Sequence, residues 1–241
     1  MFRMNRRRVL KGVMAIAAAL PLAGCETLFP WHWRQKLVLT VETPSGVATG
    51  SAVAGVSWSR NYVFKDGPSY YSDVTGEATV VDLGGGRFLF ALLSNSNDSG
   101  YTADLFKKLV RFGREEELRG ARNIFHAVQN SVGPQTVPPQ LYPMLVTFGD
   151  ITDPKTVVEV KPDDLATHFG AGVALKSITL EITDEPVTEG VVEKVLGWIG
   201  NPEVMENPNW QKIPLEARRL LGGFLHDYRA AQKRFAERNS K

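Results

Sequence analysis

The sequence predicts an α+β fold: a mainly antiparallel sheet built from hairpins, covered by helices, with a C-terminal amphipathic helix. Three observations predict it. Strand-like runs come in pairs around turn residues, at 36–59 and 77–93. Helical spacing of apolar residues occurs in separate segments, at 101–112 and 214–238. Helical and strand-like segments follow in mixed order, with no internal repeat, which suits helices packed on an antiparallel sheet.

Lys36–Thr43 alternates, with Leu37, Leu39 and Val41 on one side and Lys36, Thr40 and Glu42 on the other. Period two with β-branched residues predicts a half-buried strand. Pro44-Ser45-Gly46 is turn chemistry. Val47–Ser59 is the return strand of a hairpin, and Gly50 and Gly55 in it predict a bulge or a close backbone approach. Residues 60–76 are polar, aromatic and turn-rich, which predicts an exposed loop carrying Tyr62, Phe64, Tyr70 and Tyr71. Glu77–Leu83 and Arg87–Leu93 flank Gly84-Gly85-Gly86 and predict a second hairpin. Phe88–Leu93 has no polar side, so its strand should be central and covered on both faces.

Ser94–Gly100 reads as a loop. Leu105, Phe106, Leu109 and Val110 then predict a helix over 101–112, with Lys107, Lys108 and Arg111 on its wet face. A second helix is predicted over 114–129, weakened at Gly120. Four prolines in 131–143 predict a linker or surface crossing. Strands are expected at 144–148, 156–160 and 173–183, and short helices at 163–169 and 188–199, with a loop over 200–208. The last helix is predicted over 214–238, with Pro214 at its first position and Ala217, Leu220, Leu221, Phe224, Tyr228, Ala231 and Phe235 on one stripe.

The first thirty residues are of another kind. Arg3, Arg6, Arg7, Arg8 and Lys11 precede a short apolar run, Gly12–Ala23, that is too short for a comfortable membrane span. The run ends in Leu22-Ala23-Gly24-Cys25, which resembles the lipobox of bacterial lipoprotein precursors. That resemblance implies a signal peptide over 1–24, cleavage between Gly24 and Cys25, and acylation of Cys25, with palmitate among the expected chains. Several acyl chains anchor stably where one is marginal. Arg6-Arg7-Arg8-Val9-Leu10-Lys11 resembles the twin-arginine export signal but departs from it at Asn5 and Val9, so both that route and the Sec route stay open. Glu26 leaves inner and outer membrane equally open. Tyr142–Val187 resembles uncharacterised proteobacterial proteins, which implies a bacterial setting and no activity. The expected organisation is a signal peptide (1–24), a membrane-proximal tether (25–35) and one globular domain (36–241). Within the tether, Trp31 and Trp33 have two readings: contact with the bilayer surface, or packing on the domain as its first strand begins.

Composition bounds the function. Hydrophobic residues are 43% and charged residues 22% of 241, which excludes a disordered chain and a polytopic membrane protein. One cysteine excludes a disulfide framework and a multi-thiolate zinc site. The chain carries 28 basic and 26 acidic side chains, a net +2. Removing residues 1–24 takes away five basic and no acidic ones, so the remainder is net −3 and gives no argument for nucleic acid. That remainder joins an acidic body to a basic tail over 212–241.

Candidate chemistry is sparse. Asp164 and His168 share a face if they lie on one helix, the geometry of a general base or half a metal site. Ser94–Gly100 resembles a calcium loop, but Asn95 replaces its first Asp and Phe106 stands at its twelfth position. Asp150, Asp153, Asp184 and Glu185 lie at strand ends and could meet at one sheet edge, as glycoside hydrolysis or cation binding requires. Ser51 and Ser57 lie inside a strand and not at a nucleophile elbow, and Gly84–Gly86 is not a dinucleotide fingerprint. No catalytic residue, cofactor or metal is assigned. The reading is a non-enzymatic, lipid-anchored envelope protein with its domain in the periplasm, held to the bilayer through Cys25. It binds a protein partner or assists an envelope assembly. A periplasmic small-ligand or glycan-binding module and a carboxylate-dependent hydrolase are the alternatives.

Overall fold

The structure is a computed structural model that describes residues 31–61, 69–95, 100–205, 212–226 and 228–239. The signal segment, Gly24, Cys25, Tyr62, Phe64 and the middle of the 94–100 loop lie outside the described residues. The fold is α+β with antiparallel sheets. The strands divide between two sheets where the sequence suggested one. The first has the order β3-β2-β1-β9-β6 and the second β4-β5-β7-β8. These strands are β1 (Trp31–Thr43), β2 (Gly46–Asn61), β3 (Ser69–Thr75), β4 (Thr79–Asp82), β5 (Phe88–Ala91), β6 (Gln135–Thr136), β7 (Leu145–Phe148), β8 (Val157–Val160) and β9 (Ala174–Ile182).

Strand β1 starts at Trp31 and not at Lys36, so residues 31–35 belong to the domain and not to the tether. The reason is apolar: Trp33 continues the inward series Gln35, Leu39 and Val41, and is only 6% exposed. Its indole donates to Gln35 Oε1 at 2.9 Å, and the Gln35 amide donates to the Thr102 carbonyl at 2.8 Å. This buried relay ties β1 to the first turn of helix α1 (Tyr101–Arg111) and gives each of its polar groups a partner. Residues 69–75, expected to be loop, form β3 along the edge of β2, with Trp58 opposite Ser72 and Arg60 opposite Tyr70. The crossing expected over 131–143 contributes β6, which pairs with β9, and fully buries Val137.

Strand β5 lies between β4 and β7 and is covered on both faces, as its lack of a polar side demands. Leu89 and Ala91 enter a core shared with β1, β2, β9, α1 and α2 (Ala121–Gln129). Phe90 enters a second core beneath the C-terminal helices. The second sheet is therefore the middle of three layers. Gly120, with φ of +81°, stands at the start of α2 and explains why the helix expected over 114–129 begins only at residue 121.

The third layer holds α4 (Val191–Val195), α5 (Pro202–Met205), α6 (Leu215–Leu221) and α7 (Tyr228–Asn239); the four-residue α3 (Ala166–Phe169) precedes β9. The single helix expected over 214–238 is thus two, and Pro214 caps α6 from outside it. The break follows Gly222-Gly223. A Cβ on Gly223 would sit 2.4 Å from Ser94 Oγ, so only glycine lets the chain lie this close to the sheet. There the Gly223 carbonyl accepts from Leu93 N–H at 2.8 Å and the Phe224 carbonyl from Ala78 N–H at 2.8 Å. Sheet pairing outcompetes helix continuation. The basic tail packs on the body: Ala231 is fully buried, and Arg234 donates to the buried Glu193 at 2.8 Å and 2.5 Å.

Arg234→Ala should strand the Glu193 carboxylate, which is 3% exposed. We expect a loss of about 2–3 kcal/mol, below the value for a fully buried pair because the arginine is partly solvated. Adding Glu193→Gln should recover most of it. Urea unfolding of both variants checks this, and no recovery would mean that Arg234 acts through packing.

Candidate functional site

The residues singled out from sequence are used locally. Asp164 accepts from Thr167 Oγ1 at 2.8 Å and from its backbone N–H at 3.3 Å, just ahead of α3. It therefore caps that turn and does not share a helical face with His168, because α3 starts only at Ala166. Asp150 accepts from Thr152 N–H and Oγ1 inside the β7–β8 turn, and these bonds hold its carboxyl below the usual range. Asp153 accepts from Lys155 N–H in the same turn at 2.9 Å. Asp184 and Glu185 follow β9 of the other sheet and pair with Arg34 at 3.6 Å and Lys36 at 2.6 Å. The first pair serves the β7–β8 turn and the second meets cations of β1. Among the described residues no group of three or more His, Cys, Asp or Glu side chains could hold a metal. Gly84, Gly85 and Gly86 all have positive φ and form the β4–β5 turn. Ser51 and Ser57 lie within β2.

Two concavities are more informative. The larger, about 680 Å³, is an open groove of mixed polarity between β1–β3 and the segment that follows β9. Its charges are mutually engaged, Arg34 with Asp184 and Asp73 with His226 at 3.2 Å. The smaller, about 280 Å³, lies where β1 begins. It is lined by Trp58, Tyr70, Lys107, Arg111, Ile124 and Phe125, with Gly120 and Ala121 at its edge.

This pocket is built around Phe125. Trp31 stacks on it at 4.3 Å between centroids, Trp58 tilts against it at 5.6 Å and Tyr70 at 6.0 Å. The register explains the gathering: Trp31 stands opposite Trp58 across β1 and β2, and Tyr70 stands opposite Arg60 across β2 and β3. Lys107 reaches in from α1. Its Nζ lies 3.4 Å from the Trp58 ring centroid and 2.7 Å from Asp104 Oδ1. Burial pushes the ammonium below the usual lysine range, against the pull of Asp104, and the like charges of Lys108 and Arg111 add to the depression. Asp104 takes one of the three Nζ donors. The Trp58 indole N–H is buried and has no acceptor among the described residues. Aromatic faces and a half-buried cation that keeps two donors together make a site for a small anionic or polar group against a flat apolar wall.

Sequence reasoning reached only Tyr70 and, in one of its two readings, the packing of Trp31 on the domain. It placed Lys107 on the wet face of α1. The signal was present: Ala103 and Val110 flank Lys107 at helical spacing, and both are buried, so Lys107 shares their side. No family model, curated protein or solved structure matches the chain. Among the described residues no helix is long and apolar enough to cross a membrane.

Proposed function

We propose that the chain is a lipid-anchored protein of the bacterial envelope that works by binding and not by catalysis. The observation that carries the reading is positional. Cys25 of the lipobox precedes Trp31 by six residues, which span at most about 20 Å. The end of the domain nearest the anchor is therefore the end that holds the aromatic–cation pocket. The local use of Asp150, Asp153, Asp164, Asp184 and Glu185 supports binding over hydrolysis.

The test is mass spectrometry of the protein purified from its host's membranes after mild crosslinking, beside Cys25→Ser. The expected result is a diacylglyceryl and acyl mass on an N-terminal Cys25, absent from the serine variant. An unmodified Cys25 sinks the reading. A protein cross-linked through the Tyr70–Tyr71 segment would identify the occupant of the pocket face as a protein partner.

A further inference from the structure

We propose that the pocket end of the domain docks on the bilayer, with Lys107 and Arg111 taking the phosphate of an anionic phospholipid headgroup. The inference deepens the reading above and rests on it for the anchor.

Three of the exposed large hydrophobic side chains belong to the elements that meet at this end. Tyr71 is 55% exposed, Phe112 50% and Tyr70 36%. Tyr70 and Tyr71 are the second and third residues of β3, and Phe112 follows Arg111, the last residue of α1. Tyrosine at this level of a membrane is stabilised because its ring is apolar and its hydroxyl stays wet. The charge is complementary. Lys107, Lys108 and Arg111 lie close enough together for each of the other two to depress Lys107, so a phosphate placed between them relieves repulsion. Lys107 keeps two donors after Asp104, and Arg111 is exposed beside it. An anionic leaflet supplies that phosphate, and the short chain length from Cys25 to Trp31 keeps this end within its reach.

The opposite end provides a control. Val47, 59% exposed, stands opposite Glu42, eleven residues along β1 from Trp31, and so about 35 Å from it. In the lipidated protein the only native cysteine is Cys25. Tyr71→Cys, Phe112→Cys and Val47→Cys therefore each offer one thiol for a fluorophore. Each labelled protein is reconstituted into vesicles of phosphatidylcholine alone or with phosphatidylglycerol. Quenching is read with aqueous iodide and with a headgroup-labelled nitroxide lipid.

Docking predicts that positions 71 and 112 are shielded from iodide and quenched by the nitroxide, that position 47 is not, and that phosphatidylglycerol strengthens the contrast. Arg111→Glu should weaken docking on the anionic vesicles by at least about fivefold, the effect of one cation at such a surface. Lys107→Met should do the same, and because Arg111 is exposed its variant keeps the test valid if the lysine variant folds poorly. Equal exposure of positions 71, 112 and 47 in both vesicle types overturns the proposal. Shielding indifferent to phosphatidylglycerol and to Arg111→Glu overturns the headgroup assignment. Protection of Lys107 from acetylation by soluble glycerol phosphate, without shielding on vesicles, assigns the pocket to a free ligand and also overturns it. The intact mass of the same preparation reports the anchor separately. An unacylated chain that still floats with anionic vesicles supports docking, and one that does not float opposes it.

Discussion

Gly50→Ala should be among the most damaging single-methyl additions in this protein, destabilising it by about 3 kcal/mol or more. An ideal Cβ at Gly50 would lie 1.9 Å from the Val80 carbonyl oxygen and 2.7 Å from its carbon. Both are backbone atoms of β4, so no side chain can rotate away. Gly50 is in β2, and its contact with Val80 is where the first sheet meets the second. Relief would require the sheets to part over the core that Leu39, Val81 and Leu89 fill. The opposing term is small. Gly50 has no positive φ, so alanine would gain about 0.5–1 kcal/mol from backbone entropy alone, well below the steric cost. Gly197→Ala isolates that term: Gly197 also has no positive φ, and no heavy atom lies within 4 Å of its Cβ position. It should be neutral or slightly stabilising. For a chain of 241 residues the Gly50 variant should melt roughly 6–12 °C lower. Paired thermal melts check both, and a Gly50 variant as stable as wild type would mean that the two sheets slide readily.

That glycine also marks where the sequence was legible. A glycine inside a strand run means a bulge or a close approach, and Gly50 makes the close approach. Leu39, Ile178 and Leu180 alternate as fully buried residues, because period-two patterning records burial directly. The unbroken apolar run Phe88–Leu93 announced a strand covered twice. What stayed hidden was set by partners distant in the chain. Ser69–Thr75 has loop composition and is a strand because β2 offers an edge. The stripe from Ala217 to Phe235 reads as one helix; its break depends on Ser94 and Leu93, more than a hundred residues away. The split into two sheets is likewise a matter of pairing and not of local pattern. The pocket was half legible. Tyr70 was singled out as an aromatic of a loop, whereas Lys107, Trp58 and Phe125 acquire a role only when β1, β2, α1 and α2 converge.

The second large effect is expected at Glu77, a carboxylate 2% exposed just before β4. It accepts from the backbone N–H groups of Gly190, Val191 and Val192 at 3.0, 2.8 and 3.3 Å, the unpaired donors at the start of α4. Glu77→Ala leaves all three N–H donors without their acceptor and should cost about 3 kcal/mol. Glu77→Gln keeps the shape but turns one acceptor into a donor facing an N–H, so it should cost a smaller, still measurable amount. The pH dependence separates charge from shape. Burial raises the Glu77 carboxyl above its ordinary value of 4.5, the three N–H groups pull it back, and the nearby Glu193 adds to the rise. The folded protein therefore holds a proton that the unfolded chain has released, from 4.5 up to the folded value. Stability from this group is greatest below that window, falls as pH rises through it, and is level above it. The amide of the Glu77→Gln variant does not titrate. The gap in unfolding free energy between wild type and Glu77→Gln should therefore widen as pH is lowered from 7 toward 4.5. A gap that narrows would mean that the three N–H bonds outweigh burial and that the carboxylate is the stabilised form.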